Sequence, residues 1–301
     1  MSDDRGSQPY VLHEALPTLH HPALVVMLTG WIDASGAAGA ALEAVQHDCE
    51  LRPLATFDGD TFIDYRARRP TMEMRKGVNT RIVWPEIEVQ VGHDLAGHDV
   101  VVLSGPEPDA AWHRFATVVG DLAVALGITR TIILGAYPFA APHTRPPRLS
   151  SSSPAGVTIG NFPLQDTSFD VPAGMSAVLE HALVDRGIDA IGVWAQVPHY
   201  VSAMSYPAAT VALVGALQDV GGIVVDAADA RQDAIVQRER LDQLIAGNAE
   251  HVAMVHQLEE LYDSSDDGTT GGAPGSTFSA AEIPSPDELA EEFQRFLREQ
   301  S

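Results

Sequence analysis

DAAWHRFATVVGDLAVALGITRTIIL, residues 109–134, decides the fold. Its first part places Phe115, Val118, Val119, Leu122 and Leu126 at helical spacing with a polar opposite face. Asp109 is expected to cap that helix. Gly127 stops it, because glycine takes the left-handed conformation past a helix end with no Cβ clash. A β-branched run, Ile132-Ile133-Leu134, follows. The same rhythm occurs twice more. Residues 174–186 end at Gly187 and lead into Ile191-Gly192-Val193-Trp194. Residues 207–220 end at Gly221-Gly222 and lead into Ile223-Val224-Val225. Helix and strand alternating at this spacing predict an α/β fold with a mostly parallel central sheet. In such folds ligands bind where strands end and loops begin.

Upstream, Ala23 to Leu28 reads as the first strand, bounded by Pro22 and Gly30, and a small-residue helix is expected from about 35 to 47. Residues 53–57, 80–84 and 99–103 read as further strands. The α/β domain is therefore placed at 11–226, after a loose leader at 1–10. Residues 227–262 change in texture, with almost no Gly or Pro. Leu241, Leu244, Met254, Val255, Leu258 and Leu261 fall near helical periods there. This predicts a helical C-terminal extension of two antiparallel helices broken at Gly247-Asn248. Residues 263–285 read as a flexible linker rich in Gly, Ser, Thr and Asp. Ser285-Pro286-Asp287-Glu288 then starts an amphipathic helix over 286–301, with Leu289, Phe293, Phe296 and Leu297 on one face.

Composition excludes several partners. Formal net charge is −23, from 41 acidic against 18 basic residues, which opposes binding to nucleic acid or anionic membranes. The acids Glu259, Glu260, Asp263, Asp266 and Asp267 read as a solvated face running into an acidic linker. No apolar run reaches the roughly 18 residues needed to span a bilayer. The opening MSDDRGSQPY has no apolar h-region, and the single cysteine, Cys49, can form no intrachain disulfide. A cytoplasmic protein is expected.

Four stretches offer candidate chemistry. GWIDASGAAGAA (30–41) joins the first strand to a helix, where helix amides favour anions. Gly30 and Asp33 are candidate ligand contacts, or Asp33 caps the helix while Gly36 and Gly39 permit close packing. GAYPFAAPHTRPP (135–147) leaves a strand and holds His143, Thr144 and Arg145 between stiffening prolines, suited to an anionic ligand or to a buried contact with a neighbouring chain. WAQVPHYVSAMSYPAAT (194–210) leaves the next strand and presents His199 and Tyr200. His199 could work as an acid–base group near neutral pH or pack as a hydrogen-bonded histidine. TFDGDTFIDYRARRP (56–70) mixes Asp58, Asp60 and Asp64 with Tyr65, Arg66, Arg68 and Arg69, a pattern for an ion-pair network or subunit contact. No nucleophile elbow, zinc motif or kinase signature occurs. No catalytic residue, metal or cofactor is assigned.

On these stretches the chain resembles the proteasome assembly chaperone 2 family, in its actinobacterial form. The residues carrying the resemblance are the Gly30-Trp31-Ile32-Asp33-Ala34 turn, the Asp58–Pro70 segment, Pro142-His143-Thr144-Arg145-Pro146 and Pro198-His199-Tyr200. Their order and spacing span about 30–210. The resemblance implies a three-layer domain similar to the phosphorylase/hydrolase-like fold, a helical extension, and self-association with a trimer as the expected form. It also implies a non-enzymatic role in protein assembly or scaffolding, with a possible protein partner. The alternative is a small-molecule enzyme or binder for a nucleoside-like or anionic ligand, with Gly30, Asp33, His143, Arg145 and His199 around one cleft.

Overall fold

The computed structural model describes residues 9–154 and 170–264. The expected linker beyond 264, the amphipathic helix at 286–301 and the leader up to residue 8 lie outside the described residues. Tyr10 already belongs to a strand.

Eight strands form the main sheet: β1 (Tyr10–Leu12), β2 (Ala23–Thr29), β3 (Arg52–Phe57), β6 (Glu88–His93), β7 (Asp99–Pro106), β8 (Arg130–Phe139), β9 (Leu149–Ser152) and β10 (Asp189–Pro198). Their order is β1-β3-β6-β7-β2-β8-β10-β9. The central strands β7, β2, β8 and β10 run parallel. The pairings outside them, β1–β3, β3–β6, β6–β7 and β10–β9, are antiparallel. The sheet is therefore mixed, with a parallel centre. The parallel centre is what the helix–Gly–strand rhythm reads. The edges are hairpin-like segments that this rhythm does not cover.

Two helical layers cover the sheet. On one face lie α1 (Ala37–Asp48) and α5 (Pro207–Gly221), packed on Ala23, Val25 and Met27 of β2. On the other lie α3 (Trp112–Ala125) and α4 (Met175–Val184), packed on Leu24, Val26 and Leu28. The alternation of β2 residues between the two cores follows from the two-residue period of a strand. Burial on both faces explains why β2 reads as a continuous apolar run. The three glycine stops act as expected. Gly127, Gly187 and Gly222 all have positive φ (70°, 77° and 68°). The next amide bonds back into each helix: Ile128 to Ala123, Ile188 to Leu183 and Ile223 to Leu217.

Three local expectations are corrected. Ile223-Val224-Val225 is not a strand. The Val224 amide instead donates to the Asp94 carboxylate (2.8 Å), and the Leu95 amide donates to the Val224 carbonyl (3.1 Å). With these groups satisfied by the turn after β6, no strand partner is needed. Asp109 does not cap α3; Ala111, at φ 54°, occupies the N-cap position. The Asp109 carboxylate is taken by Arg68 and by the amide of Asp64. The strand near 80 lies outside the main sheet. With β4 (Thr71–Arg75), β5 (Val78–Val83) makes a separate two-stranded hairpin.

The last described elements are α6 (Ala228–Ala246) and α7 (Ala249–Ser264). Asn248 sets the break, its side-chain oxygen accepting the Glu250 amide at 2.9 Å. Only Leu241 on α6 and Val255 and Leu258 on α7 are buried. Leu244 and Leu261 are exposed. So short an apolar seam needs polar reinforcement, and that reinforcement comes from the loop that follows β8.

Candidate functional site

The loops leaving β2, β8 and β10 meet at the C-terminal ends of the parallel strands. Asp33 bridges to Ala136, and the Ser35 amide donates to the Ser202 carbonyl at 2.7 Å. The Asp33 carboxylate accepts the Ala38 and Gly39 amides at 2.9 and 3.0 Å, satisfying the first turn of α1. Burial raises its pKa, and the two amides oppose the rise. At Gly30, φ is 114° and a Cβ would sit 2.6 Å from an Arg68 guanidinium nitrogen. The glycine thus lets Arg68 cross the chain to Asp109.

The loop after β8 points into α6 and α7. The His143 backbone N–H donates to Tyr200 Oη at 2.8 Å. The Tyr200 hydroxyl lies 2.7 Å from His143 Nδ1, and Nε2 lies 3.1 Å from Asp242 Oδ1. One assignment satisfies every group: Tyr200 donates to Nδ1, and a neutral imidazole donates Nε2–H to Asp242. Burial holds the His143 pKa below its ordinary value, against the pull of Asp242. Thr144 donates its hydroxyl to Glu259 at 2.5 Å. Arg145 makes a bidentate pair with Asp263 (2.9 and 2.7 Å) and a third bond to Glu259 (3.1 Å). The Asp263 bond raises the Arg145 pKa. The Thr144 hydroxyl, followed by the Arg145 charge, holds Glu259 below the ordinary carboxylate range. Arg148 donates to the Tyr262 carbonyl at 2.7 Å and lies 3.7 Å from that ring's centroid. Tyr262 returns a bond to the Pro146 carbonyl at 3.0 Å.

His199 is half-buried and stands apart from this clamp in its bonding. Its ring packs edge-on against Tyr200 (5.3 Å) and bonds the Phe139 carbonyl, and burial lowers its pKa. His143, Thr144, Arg145 and Tyr200 therefore come together, with His199 beside them. Asp33 joins them only through the backbone, and Gly30 belongs to the Arg68 contact. Each of the loop side chains already has a partner within the chain. The neighbour that His143 and Arg145 contact is the chain's own α6–α7 pair.

In the 58–70 segment, α2 (Gly59–Phe62) is anchored by Phe62 in an aromatic cluster with Phe57 and Phe115. Asp58 accepts the Thr61 hydroxyl, and Asp64 accepts the Arg66 amide at 2.8 Å. Arg68 pairs with Asp109 at 3.1 Å. Tyr65 packs edge-on against Trp84 (4.6 Å) at the foot of the β4–β5 hairpin. Asp60, Arg66 and Arg69 are exposed and make no ion pair among the described residues.

Sequence reasoning missed the partners of the clamp: Asp242, Glu259, Tyr262 and Asp263. The signal was present, since Glu259 and Asp263 lie four apart and so share one helix face. That spacing distinguishes them from a uniformly solvated acidic run. Asp266 and Asp267 lie outside the described residues. Among the described residues no group of three or more His, Cys, Asp or Glu is arranged to hold a metal ion. No described helix is long and apolar enough to cross a membrane. Cys49 is buried, and burial pushes its thiol pKa to about 12.

The sequence profile of the PAC2 family matches residues 27–245. Three solved structures place the likeness in the whole fold. A Corynebacterium glutamicum protein of unknown function is 31% identical, covering 86% of this chain and 98% of its own, with a TM-score of 0.80. A Mycobacterium tuberculosis protein of unknown function is 31% identical, covering 87% and 93%, with a TM-score of 0.76. A proteasome-assembly chaperone homologue of Mycobacterium tuberculosis is 32% identical, covering 77% and 99%, with a TM-score of 0.71. No curated protein matches the chain.

Proposed function

The chain belongs to the PAC2 family, and we propose on that premise that it is a non-enzymatic assembly protein that associates with itself and acts on proteasome subunits in the cytoplasm. One observation carries the reading. The side chains best suited to chemistry at the strand ends, His143, Thr144, Arg145 and Tyr200, are bonded to one another and to acids of α6 and α7. They hold a helical pair on the domain and leave surfaces, not a reactive cleft, as the means of action. The proteasome partner follows from the likeness to the M. tuberculosis proteasome-assembly chaperone homologue. A trimer and a domain resembling the phosphorylase/hydrolase-like fold belong to the same reading.

The test is to mix the full chain at micromolar concentration with unassembled proteasome subunits from its own organism and follow ring formation by native mass spectrometry. A complex with free subunits and a higher yield of complete rings is the expected result. The same yield with no complex overturns the proteasome role. In the same spectra the chain alone should appear above monomer mass, and a monomer throughout overturns self-association.

A further inference from the structure

A carboxyl is buried between α4 and the sheet. Glu180 lies on α4 and is 5% exposed. Its Oε1 accepts the Ser152 hydroxyl of β9 at 2.9 Å, and Ser152 Oγ accepts the Trp194 indole N–H of β10 at 3.1 Å. Gly192 leaves room for all three, since a Cβ there would collide with Ser152 Oγ, Glu180 Oε1 and Trp194 Nε1. Burial pushes the Glu180 pKa up to about 7, opposed by the Ser152 bond. The elements packed on α4 are α3, β2 and β10, with β9 reached through Ser152. Their titratable groups are His113, Arg114 and Asp121 on α3 and Asp189 on β10; β2 and β9 have none. Neither these nor His181 on α4 itself sets the Glu180 charge, and Asp121 is taken by Arg186 at 2.9 Å. An ionised Glu180 therefore meets no cation among the described residues and needs water.

Two elements could move to admit that water, and they differ in what they would give up. α4 buries Met175, Leu179 and Leu183 completely. β9 ends the sheet and pairs with β10 alone, over four residues. Its side chains are the half-buried Leu149 and three serines. Ser150 bonds the Tyr137 hydroxyl at 3.2 Å, and Ser152 bonds Glu180 and Trp194. Water can replace hydroxyl bonds, whereas nothing in water replaces the burial of three large apolar side chains. β9 is the element that yields. Its leading end is pinned, because Arg148 donates to the Tyr262 carbonyl of α7 at 2.7 Å. The motion is therefore greatest toward Ser152.

We propose that β9 (Leu149–Ser152) is a pH-sensitive strap that lies on β10 while the Glu180 carboxyl is neutral and lifts transiently, admitting water, once that carboxyl ionises.

The test is hydrogen exchange on the full chain, followed residue by residue by NMR from pH 6 to 8 and divided by the intrinsic rate. A carboxyl with a pKa of about 7 under the strap and an ordinary 4.5 in water makes lifting about tenfold more frequent across this range. The β9 amides should lose protection by that factor, and Glu180→Gln should hold them level within about twofold. In sub-denaturing urea β9 should keep its exchange rate while that of α4 rises, since lifting four residues exposes little surface. Protection of β9 that does not fall with pH in the natural chain overturns the strap. So does an equal fall in Glu180→Gln. Exchange of β9 and α4 at one common, urea-dependent rate overturns it too, because the opening is then global.

Discussion

His143→Ala is expected to lower global stability by about 3 kcal/mol, read as a fall in the urea midpoint at unchanged m. The residue is only 5% exposed, and its ring links Tyr200 to Asp242. Truncation strands the hydroxyl proton of half-buried Tyr200, a loss of about 1–3 kcal/mol. The vacated ring space adds a packing loss of about 1–2 kcal/mol. Asp242 is half exposed and turns to water at little cost. A change within about 0.5 kcal/mol, typical of a surface site, would refute the role. The pH dependence has a defined sign. Burial lowers the folded-state pKa of His143 below the ordinary 6.5, so the unfolded chain binds the extra proton first. The stability it confers is complete above that value and is lost as pH falls through it toward the folded pKa. The variant should lose this share of the acid sensitivity, whereas the part owed to His199, whose pKa burial also lowers, remains.

Glu180→Gln has the opposite expected effect: a gain of about 2 kcal/mol at pH 8. Glu180 on α4 is 5% exposed, and burial pushes its pKa up to about 7 from an ordinary 4.5, against one hydrogen bond from Ser152. Ser152 Oγ lies 2.9 Å from the carboxylate and in turn accepts the Trp194 indole N–H at 3.1 Å. A raised carboxylic pKa stabilises the fold fully below 4.5, and this contribution is lost as pH rises through about 7. At about 1.36 kcal/mol per pH unit the full loss is roughly 3 kcal/mol. A neutral amide escapes it, less the cost of one extra buried donor. Just below pH 6.5 the Glu180 slope opposes the slopes of His143 and His199, so each variant should tilt the profile of the natural chain in the opposite sense. A Glu180→Gln chain no more stable at pH 8 than the natural one would show the carboxylate solvated.

The parts of the fold legible in the sequence are those fixed by local rules. Gly127 and Gly187 stop helices because the next chain direction needs positive φ. Phe115, Val119 and Leu122 share a face because the helix repeats every 3.6 residues, and all three are buried. Ile223-Val224-Val225 has the composition of a strand, yet a carboxylate 130 residues away satisfies its backbone. The run at 80–84 reads as a strand without showing that it belongs to a hairpin outside the main sheet. At the site, sequence marked His143, Thr144 and Arg145 as poised for polar contact. It could not show with whom, because Arg145 and Asp263 stand 118 residues apart and no local period couples them. Asp109 failed as a cap for the same reason: its partner Arg68 is 41 residues away.

The most direct test of the account is hydrogen exchange on Arg145→Glu, which sets a carboxylate against Glu259 and Asp263 in place of the guanidinium that binds both. If the strand-end loop is a clamp, amides across 249–264 should exchange at least about tenfold faster while those of β2, β8 and β10 keep their protection. Unchanged exchange in that helix would mean that the loop does not hold it, and would return His143, Thr144 and Arg145 to the chemistry of a ligand site.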